Sequence, residues 1–300
     1  MPELPEVEVI RHGLAQAVNG ARVEAVEVRD ARALKRHRPL SGDAAGDFEA
    51  RLTGLTLAEP ARRGKFLWIP YGEHEALLAH LGMSGQLLLR THDQSDDRHV
   101  RVRLWLHTPH HGELRLDFCD QRLFGSLAMD QLVPCADGLA AGWGTNSATI
   151  PGQAAHIARD PLDAAFDVSL VRTQFARRSV GVKQVLLDQQ VVSGIGNIYA
   201  DEALWLARIH PQTPAKQLST RAVNRLMTAV TQVLEKALAE GGTSFDALYV
   251  NVNGESGYFA HSLNAYGRGG EPCPRCGTAI KRVPFAGRSS HFCPRCQRRR

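Results

Sequence analysis

The stretch that decides the fold is residues 100–118, which read VRVRLWL at 100–106 and LRLDF at 114–118. In both runs apolar residues alternate with polar or aromatic ones, so successive side chains point to opposite faces of a strand. A short turn, Thr108-Pro-His-His-Gly112, separates the runs. This pattern predicts an antiparallel hairpin with one buried face and one face in water.

Before this hairpin, the sequence predicts one helix and three further strands. Pro5 suits the first turn of a helix, where its missing N–H is not needed. Apolar residues then follow at helical spacings of three and four: Val7, Ile10, Leu14 and Val18. Apolar β-type runs occupy residues 23–28, 66–69 and 87–89. Residues 1–130 are therefore expected to form an antiparallel sheet domain with a leading helix that anchors the chain end.

After about residue 130 the alternating pattern ends. Residues 131–160 are rich in Gly, Ala, Pro and Asp, which indicates a linker. Helical spacing resumes in four segments: 162–177, 183–190, 198–207 and 222–239. A turn containing Gly194 and Gly196 joins two of these helices, and Asn197 suits the N-cap of the next one. Exposed N–H groups at a helix start bind anions, so this turn is a candidate phosphate site, although a glycine turn alone is a weak signal.

The C-terminal segment carries the sequence CPRC twice, at 273–276 and 293–296. Two CxxC pairs sixteen residues apart match a tetrahedral structural zinc site in which two turns each supply two thiolates. The predicted ligands are Cys273, Cys276, Cys293 and Cys296. Redox-active pairs are the alternative, which a reducing cytosol and the duplicated spacing disfavour. The isolated Cys119 and Cys135 are expected to be inert apolar residues rather than a disulfide.

Charge and composition narrow the class of partner. The chain has a net charge of +5, with 43% hydrophobic and 22% charged residues, as in soluble globular proteins. Residues 271–300 contain eight Lys or Arg and one acid, so a basic tail follows a near-neutral body. Such a tail indicates either a polyanion-binding face or simply a solvated end. No run approaches the roughly 18 apolar residues of a membrane span, and the start lacks a secretory signal, so a cytoplasmic protein is expected.

Four motifs occur in order along the chain: Pro2-Glu-Leu-Pro-Glu-Val-Glu8, His80-Leu-Gly-Met-Ser-Gly85, Gly194-Ile-Gly-Asn-Ile-Tyr-Ala-Asp-Glu202 and the four-cysteine ribbon. Together they resemble the formamidopyrimidine-DNA glycosylase family of bifunctional base-excision enzymes. The resemblance implies an α+β fold: an N-terminal antiparallel β-sandwich with a leading helix, a C-terminal helical domain with a helix–two-turn–helix motif, and a four-cysteine zinc finger. It also implies DNA in the cleft between the domains. The expected boundaries are 1–130, a linker at 131–160, 161–268 and 269–300.

The resemblance implies a catalytic role for the amino terminus. Removal of Met1 would free the secondary amine of Pro2, and a neutral amine near its free pKa of about 8 is a nucleophile at neutral pH. Attack at the sugar C1′ by a secondary amine gives a charged iminium, the electron sink that permits elimination. By the same resemblance, Glu3 is the general acid/base and Glu6 a supporting carboxylate near the site. The remaining implied catalytic residues, which contact phosphate and assist the elimination steps, are Lys65 and Arg288.

The DNA contacts implied by the resemblance fall into two groups. A base that flips out leaves a hole in the duplex, and three side chains match the family's inserted wedge: Met83, Arg122 and Phe124. The other implied DNA contacts, mainly to phosphate, are His99, Arg178, Lys183 and Asn197. Leu123 departs from the pattern, because many relatives carry a second arginine there. This departure puts one phosphate contact and the opposite-base preference in doubt.

The expected activity is excision of oxidised purines from duplex DNA, followed by β,δ-elimination, by a monomer that holds one structural Zn²⁺. Two alternatives stay open. An endonuclease VIII-like glycosylase shares the architecture but removes oxidised pyrimidines; the first six residues and the complete wedge favour the purine enzyme. A catalytically inactive, zinc-dependent DNA-binding protein is disfavoured by the intact Pro2, Glu3 and Lys65.

Overall fold

A computed structural model describes residues 2–243, 252 and 259–299. The chain divides into two compact units, Met1–His156 with Gly241–Gly257, and Ile157–Glu240 with Tyr258–Arg300. The first division thus falls inside the segment that the sequence predicts as a linker. Part of the predicted helical domain, 244–251 and 253–258, lies outside the described residues.

Among its described residues, the first unit contains two α-helices and nine strands. The helices are α1 (Leu4–Val18) and α2 (Ala44–Leu52). The strands are β1 (Arg22–Val28), β2 (Ala61–Arg63), β3 (Phe66–Tyr71), β4 (Glu75–His80), β5 (Gly85–Arg90), β6 (Val100–Thr108), β7 (Gly112–Asp120), β8 (Ser126–Pro134) and β9 (Thr149–Pro151). Short 3-10 turns lie at Ala31–Leu34 and Gly152–Ala154.

The strands of the first unit form two antiparallel sheets, with the orders β1-β6-β7-β5 and β2-β3-β4-β8-β9. Apolar side chains from both sheets share one buried core, to which α1 contributes its stripe. The four stripe residues, each at most 1% exposed, are Val7, Ile10, Leu14 and Val18. The predicted leading helix and the β-sandwich are therefore confirmed, because a sheet on each side covers the apolar faces of the other.

The predicted hairpin is β6–β7, with Val102 opposite Phe118. Its outer face, however, does not lie in water as predicted: Arg103, Arg115 and Asp117 are each 2% exposed. Arg103 donates from Nε to Asp117 Oδ1 at 2.7 Å and from Nη2 to Asp96 Oδ1 at 2.7 Å. The arginines around Asp96 hold the pKa of that carboxyl well below its usual range. Buried charges are tolerated here because each has an opposite charge beside it.

The segment predicted as a linker contributes to the second sheet. Strand β8 continues to Pro134, and β9 pairs with it through Val133 opposite Ile150. The linker prediction is therefore wrong for 131–134 and 149–151. A three-residue strand is too short to show a period in the sequence. Strand β4 was also not predicted, because its four central residues are all buried and its sequence, EALLAH, does not alternate.

The second unit is mainly helical and includes a β-hairpin. Its helices are α3 (Val168–Ala176), α4 (Val182–Leu186), α5 (Asn197–Ala207) and α6 (Thr220–Ala239). Its strands are β10 (Lys281–Phe285) and β11 (Arg288–Phe292), and 3-10 turns lie at Ala215–Gln217 and Phe259–Ser262. No helix among the described residues has both the length and the apolar character required to cross a membrane.

Two predicted helix boundaries and one cap in this unit are corrected. Helix α3 begins at Val168 rather than 162, because the Asp167 side chain accepts the Ser169 N–H and caps it there. Helix α4 ends at Leu186, and Gln190 instead donates its N–H to Asp188 in a turn. The N-cap of α5 is Gly196, so Asn197 is the first helical residue rather than the predicted cap.

Candidate active site and metal centre

The amino-terminal residues of the first unit are buried and held by a carboxylate. Pro2 is buried, and Glu3 and Glu6 are each 1% exposed. The Glu3 N–H donates to Glu6 Oε2 at 2.8 Å. The other carboxylate oxygen of Glu6 accepts the N–H and the hydroxyl of Thr243 at 2.8 and 2.9 Å. Glu6 therefore fastens the start of α1 to a segment 237 residues away, and the chain end is fixed where chain ends are usually loose.

Lys65 lies in the two-residue turn between β2 and β3. Its neighbour Gly64 has φ +55°, the left-handed conformation that such a turn requires and that glycine adopts without strain. The Lys65 side chain is partly buried, and the next residue, Phe66, stacks on His80 at a centroid distance of 4.9 Å. The guanidinium of Arg36 lies over the Phe66 ring, 5.4 Å from its centroid. A cationic surface thus surrounds the turn.

His80 ends β4 inside this cationic surface. Its Nδ1 accepts the N–H of Gly82 at 3.2 Å, which requires that nitrogen to be unprotonated. Burial, reinforced by Arg36, Lys65 and Lys35, lowers the pKa of His80 to about 4. The neutral imidazole therefore supports the turn that carries Met83.

Acid is expected to destabilise the first unit through His80. Its folded pKa of about 4 lies below the ordinary 6.5, so the unfolded chain binds more protons and stability falls as the pH drops through this window. Urea unfolding followed between pH 7 and 4 should show this fall, and His80→Gln, whose amide oxygen can accept the Gly82 N–H without titrating, should reduce it. His74→Gln is the control, since the His74 side chain is 86% exposed. An unchanged pH slope in His80→Gln would contradict the assignment.

The three predicted wedge residues lie on two interlocked loops. Met83 is on the β4–β5 turn, and Arg122 and Phe124 are on the β7–β8 loop. A Cβ at Gly82 would collide with the backbone of Phe124 and Gly125, so the loops touch at a glycine. Phe124 is 50% exposed, and the Arg122 guanidinium lies 5.2 Å from its ring. An exposed aromatic side chain on a rigid loop is suited to insertion into a base stack.

Asp120 organises the wedge loops. Its carboxylate accepts the Ser84 hydroxyl at 2.5 Å, the Arg122 N–H at 3.1 Å and the Gly125 N–H at 2.7 Å. The Asp120 N–H in turn donates to the carbonyl of His99 at 2.9 Å. The backbone carbonyl of His99, the predicted DNA-contacting histidine, is therefore hydrogen-bonded to the residue that precedes the β7–β8 loop.

Leu123, the departure from the family pattern, has a strained backbone. Its φ is +56°, which is uncommon for a residue other than glycine. Lys35, which follows the Ala31–Leu34 turn, donates to the Leu123 carbonyl at 2.8 Å. Strain of this kind persists only where the surroundings hold it, as the two interlocked loops do here.

In the second unit, the side chain of Lys183 is 0% exposed, and its ammonium lies 2.7 Å from Asp201 Oδ1 and 3.2 Å from the Ser289 carbonyl. Lys183 therefore joins α4 to α5 and to the β10–β11 hairpin. Its phosphate contact stays a prediction.

The other two predicted contacts of the second unit are less enclosed. Asn197 donates from Nδ2 to the Ser289 carbonyl at 3.0 Å, while its Oδ1 is buried with no hydrogen-bond partner among the described residues. Arg178 is partly exposed and bonds to Gln174 and, at 3.1 Å, to Asp188. Of these two residues, Arg178 therefore offers the accessible charge.

The carboxylates that end the Gly194–Glu202 motif hold the C-terminal segment. Asp201 accepts the Ser290 hydroxyl at 3.0 Å and the His291 N–H at 2.8 Å. Glu202 accepts the backbone N–H groups of Asn264, Ala265 and Tyr266 at 2.7–3.1 Å. Sequence reasoning missed both roles, and the pair of adjacent acids in the middle of a largely apolar helix was the signal available.

Asp201→Asn is expected to destabilise the second unit by about 3–5 kcal/mol, because it leaves the buried Lys183 ammonium without a counter-charge. Chemical denaturation with metal bound measures this loss. The control is Glu271→Gln, which removes an ion pair with Arg268. Because the Glu271 side chain is 56% exposed, this variant should lose less than about 1 kcal/mol of stability. Equal losses in the two variants would contradict the expectation.

The four predicted metal ligands come together in the second unit. The Sγ atoms of Cys273, Cys276, Cys293 and Cys296 all lie within 4.8 Å of one another. Ligands about 2.3 Å from a tetrahedral zinc are about 3.8 Å apart, so the cluster fits such an ion. Trp205 of α5 donates its indole N–H to Cys273 Sγ at 3.4 Å and packs in the same buried cluster. The donor set, four sulfurs with no open position, is that of a structural site.

Arg288 lies at the tip of the hairpin beside this cluster. Ala286 and Gly287 form the two-residue turn, with φ of +43° and +74°, as a type I′ hairpin requires. Arg288 follows the turn and is exposed. Its predicted position at a hairpin tip is therefore observed.

The two remaining cysteines are separate from the metal centre. Cys119 and Cys135 are buried and not bonded to each other. Burial raises the pKa of the Cys119 thiol to about 12, so it stays protonated and unreactive at neutral pH. This agrees with their prediction as apolar residues.

A β-sandwich with a buried proline at its amino end, a helical unit and a four-cysteine hairpin match the architecture that the sequence resemblance implies. Three family models match in this order: the formamidopyrimidine-DNA glycosylase N-terminal domain at residues 1–127, its H2TH domain at 157–247, and a zinc finger found in FPG and IleRS at 270–299. The formamidopyrimidine-DNA glycosylase of Leifsonia xyli subsp. xyli is 59% identical over 99% of this chain and 100% of its own length. The chain therefore belongs to the formamidopyrimidine-DNA glycosylase family.

Solved structures of a Lactococcus lactis relative support the same assignment. Its complex with DNA that contains a FAPY-dG lesion has a TM-score of 0.80 and 31% identity, and covers 99% of this chain and all of that one. Its complex with DNA that contains an oxidised pyrimidine gives the same values. The fold and the DNA glycosylase class of the chain are thus established.

Proposed function

We propose that this enzyme excises oxidised purines, namely 8-oxoguanine and formamidopyrimidines, from duplex DNA and then cleaves the abasic strand. The observation that carries the proposal is the buried amino end, in which Pro2 directly precedes Glu3 and the Glu6 carboxylate accepts the Glu3 N–H. A free structural terminus has no need for such anchoring. A nucleophile does, because misplacement of a reacting group by about 1 Å can cost about 100-fold in rate.

In the proposed mechanism, Met1 is removed and the neutral imino nitrogen of Pro2 attacks C1′ of the damaged nucleotide. The glycosidic bond between C1′ and the damaged base breaks, and the base leaves with a proton. Opening of the sugar ring, assisted by Glu3, then gives an iminium between Pro2 and C1′. Loss of a C2′ proton then expels the 3′ phosphate, and a second elimination expels the 5′ phosphate. Water hydrolyses the remaining iminium and returns the amine.

Lys65 and Arg288 are proposed to act on the phosphates during these eliminations. Lys65 lies on a rigid two-residue turn among other cations, which suits contact with a phosphodiester. Arg288 is exposed at a hairpin tip, where a planar guanidinium can bind phosphate through two N–H groups. Lys65 belongs to the first unit and Arg288 to the second.

Met83, Arg122 and Phe124 are proposed to fill the hole that the flipped base leaves, with the aromatic ring replacing stacking and the guanidinium bonding to the unpaired base. His99, Arg178, Lys183 and Asn197 are proposed DNA contacts. The single structural ion is proposed to be Zn²⁺, since four thiolates favour it.

Because the proposed substrate is chromosomal DNA, we propose that the enzyme acts in the cytoplasm. We also propose that it acts as a monomer.

The test is borohydride trapping with a duplex that contains 8-oxoguanine opposite cytosine. A covalent adduct whose mass places the sugar on Pro2, with Met1 absent, is expected. Absence of any adduct together with absence of strand cleavage would refute the enzyme assignment and leave a DNA-binding protein.

A second candidate substrate is an oxidised pyrimidine, which the Lactococcus relative binds in one solved complex. Matched duplexes with 8-oxoguanine and thymine glycol, compared by single-turnover rate, separate the two. Faster excision of the purine lesion is expected, and the reverse order would favour the pyrimidine activity.

A further inference from the structure

Glu8 is a buried carboxylate to which the proposed mechanism gives no role. It lies one helical turn after the amino end of α1 and is 5% exposed. Two arginines share it: Arg11, with Nε 2.9 Å from Oε1, and Arg62, with Nε 2.7 Å from Oε2. Arg11 belongs to the same helix, whereas Arg62 belongs to β2. The carboxylate therefore ties α1 to a strand of the second sheet.

Arg62 continues this connection to the turn of Lys65. Its side chain is 0% exposed, and Nη1 donates to the carbonyl of Gly64 at 3.2 Å. Gly64 is the residue immediately before Lys65. One guanidinium thus contacts both the helix that begins beside Pro2 and the two-residue turn that presents Lys65.

The backbone of Arg62 is held from its other side. Its N–H and carbonyl exchange hydrogen bonds with those of Trp143 at 2.9 and 3.0 Å. A Cβ at Gly142 would collide with the Arg62 carbonyl, so only glycine permits this approach. Because hydrogen bonds hold both its backbone and its side chain, Arg62 has little freedom to change conformation.

We propose that Glu8 and Arg62 are positioning residues, which set the placement of Lys65 relative to the Pro2 amine. This inference rests on the proposed function. Stability alone does not account for the pair, because well-packed apolar residues can usually replace a buried ion pair at no loss of stability. What apolar residues cannot replace is the hydrogen bond to the Gly64 carbonyl, which orients the turn.

The test is a double-mutant cycle between Glu8 and Lys65, followed by single-turnover strand cleavage at a preformed abasic site with saturating enzyme. Glu8→Gln is expected to slow this cleavage by about 10–100-fold, the size of a small misplacement. If Glu8 acts through Lys65, the double variant Glu8→Gln/Lys65→Met should be no slower than Lys65→Met alone. Losses that multiply, or a Glu8→Gln rate equal to wild type, would overturn the proposal.

Two further variants keep the test decisive. Glu59→Gln is the matched control, because it also removes a carboxylate beside Arg11, at 3.9 Å, but Glu59 is 54% exposed; it should leave the rate unchanged. If Glu8→Gln does not fold, the apolar pair Glu8→Leu/Arg62→Met replaces it. A folded apolar pair at least 10-fold slower supports positioning, and one with the wild-type rate overturns it.

The outcome is separable from failure of the proposed function. Wild-type enzyme that forms no borohydride-trapped adduct refutes the function itself. A wild-type enzyme that forms the adduct, combined with multiplying losses in the cycle, refutes only the role of Glu8 and Arg62.

Discussion

Pro2→Gly is expected to slow excision of 8-oxoguanine by on the order of 10³-fold. Complete removal of a nucleophile can cost roughly 10⁶-fold, but glycine leaves a primary amine in place. That amine forms a neutral imine, which must be protonated before it can withdraw electrons, whereas the secondary amine of proline gives the charged iminium directly. Glycine also leaves unfilled the buried space that the Pro2 ring occupies. Single-turnover excision, with denaturation curves run in parallel, measures the effect.

The control for this substitution is Pro5→Ala, which changes the other proline of the same helix start without changing the amine. It should retain most of the excision rate. A Pro2→Gly enzyme within about threefold of the wild-type rate would show that the direct iminium of a secondary amine is not needed for excision. Borohydride trapping of that variant then shows whether the amino-terminal amine still carries the sugar.

Cys293→Ala is expected to remove the metal and unfold the hairpin that carries Arg288. Cys293 is 0% exposed and packs with Trp205, and structural zinc contributes apparent binding free energies of about 10–16 kcal/mol in zinc-finger peptides. Loss of the hairpin also breaks the bonds from Ser290 and His291 to Asp201, which exposes the Lys183–Asp201 pair. Metal content by mass spectrometry, amide exchange of residues 281–292 and affinity for abasic DNA are the measurements.

Cys119→Ala provides the matched control, because it also truncates a buried thiol but lies outside the cluster. It should keep one metal ion per chain. If Cys293→Ala also kept one ion and the same exchange protection, three sulfurs would suffice and the hairpin would be stable without a complete site.

The features that the sequence predicted well are those set by local pattern. Alternation at 100–118 predicts β6 and β7, and the spacing of Val7, Ile10 and Leu14 predicts the buried face of α1. The CPRC pairs predict the four sulfurs, because ligand spacing within each turn is a local property. Each of these depends on residues within about one turn or one hairpin of each other.

The features that the sequence did not predict depend on which side chains the fold places beside each charge. Arg103 and Asp117 look like a solvent-facing row until Asp96 is placed over them. The sequence likewise gives no sign that Lys183 is buried beside Asp201. A charge pattern alone does not distinguish a partner inside the protein from one outside it, and only the fold decides which is present.

The bonds between Glu6 and Thr243 have a consequence for synthesis on the ribosome. Residues 1–156 emerge first, yet Glu6 also accepts hydrogen bonds from a residue made 237 positions after it. At about 5–20 residues per second, translation from residue 156 to 243 takes roughly 4–17 s. During that interval the nascent sandwich lacks this contact, so we expect its amino end to be more accessible than in the folded protein to the peptidase that the proposed mechanism requires.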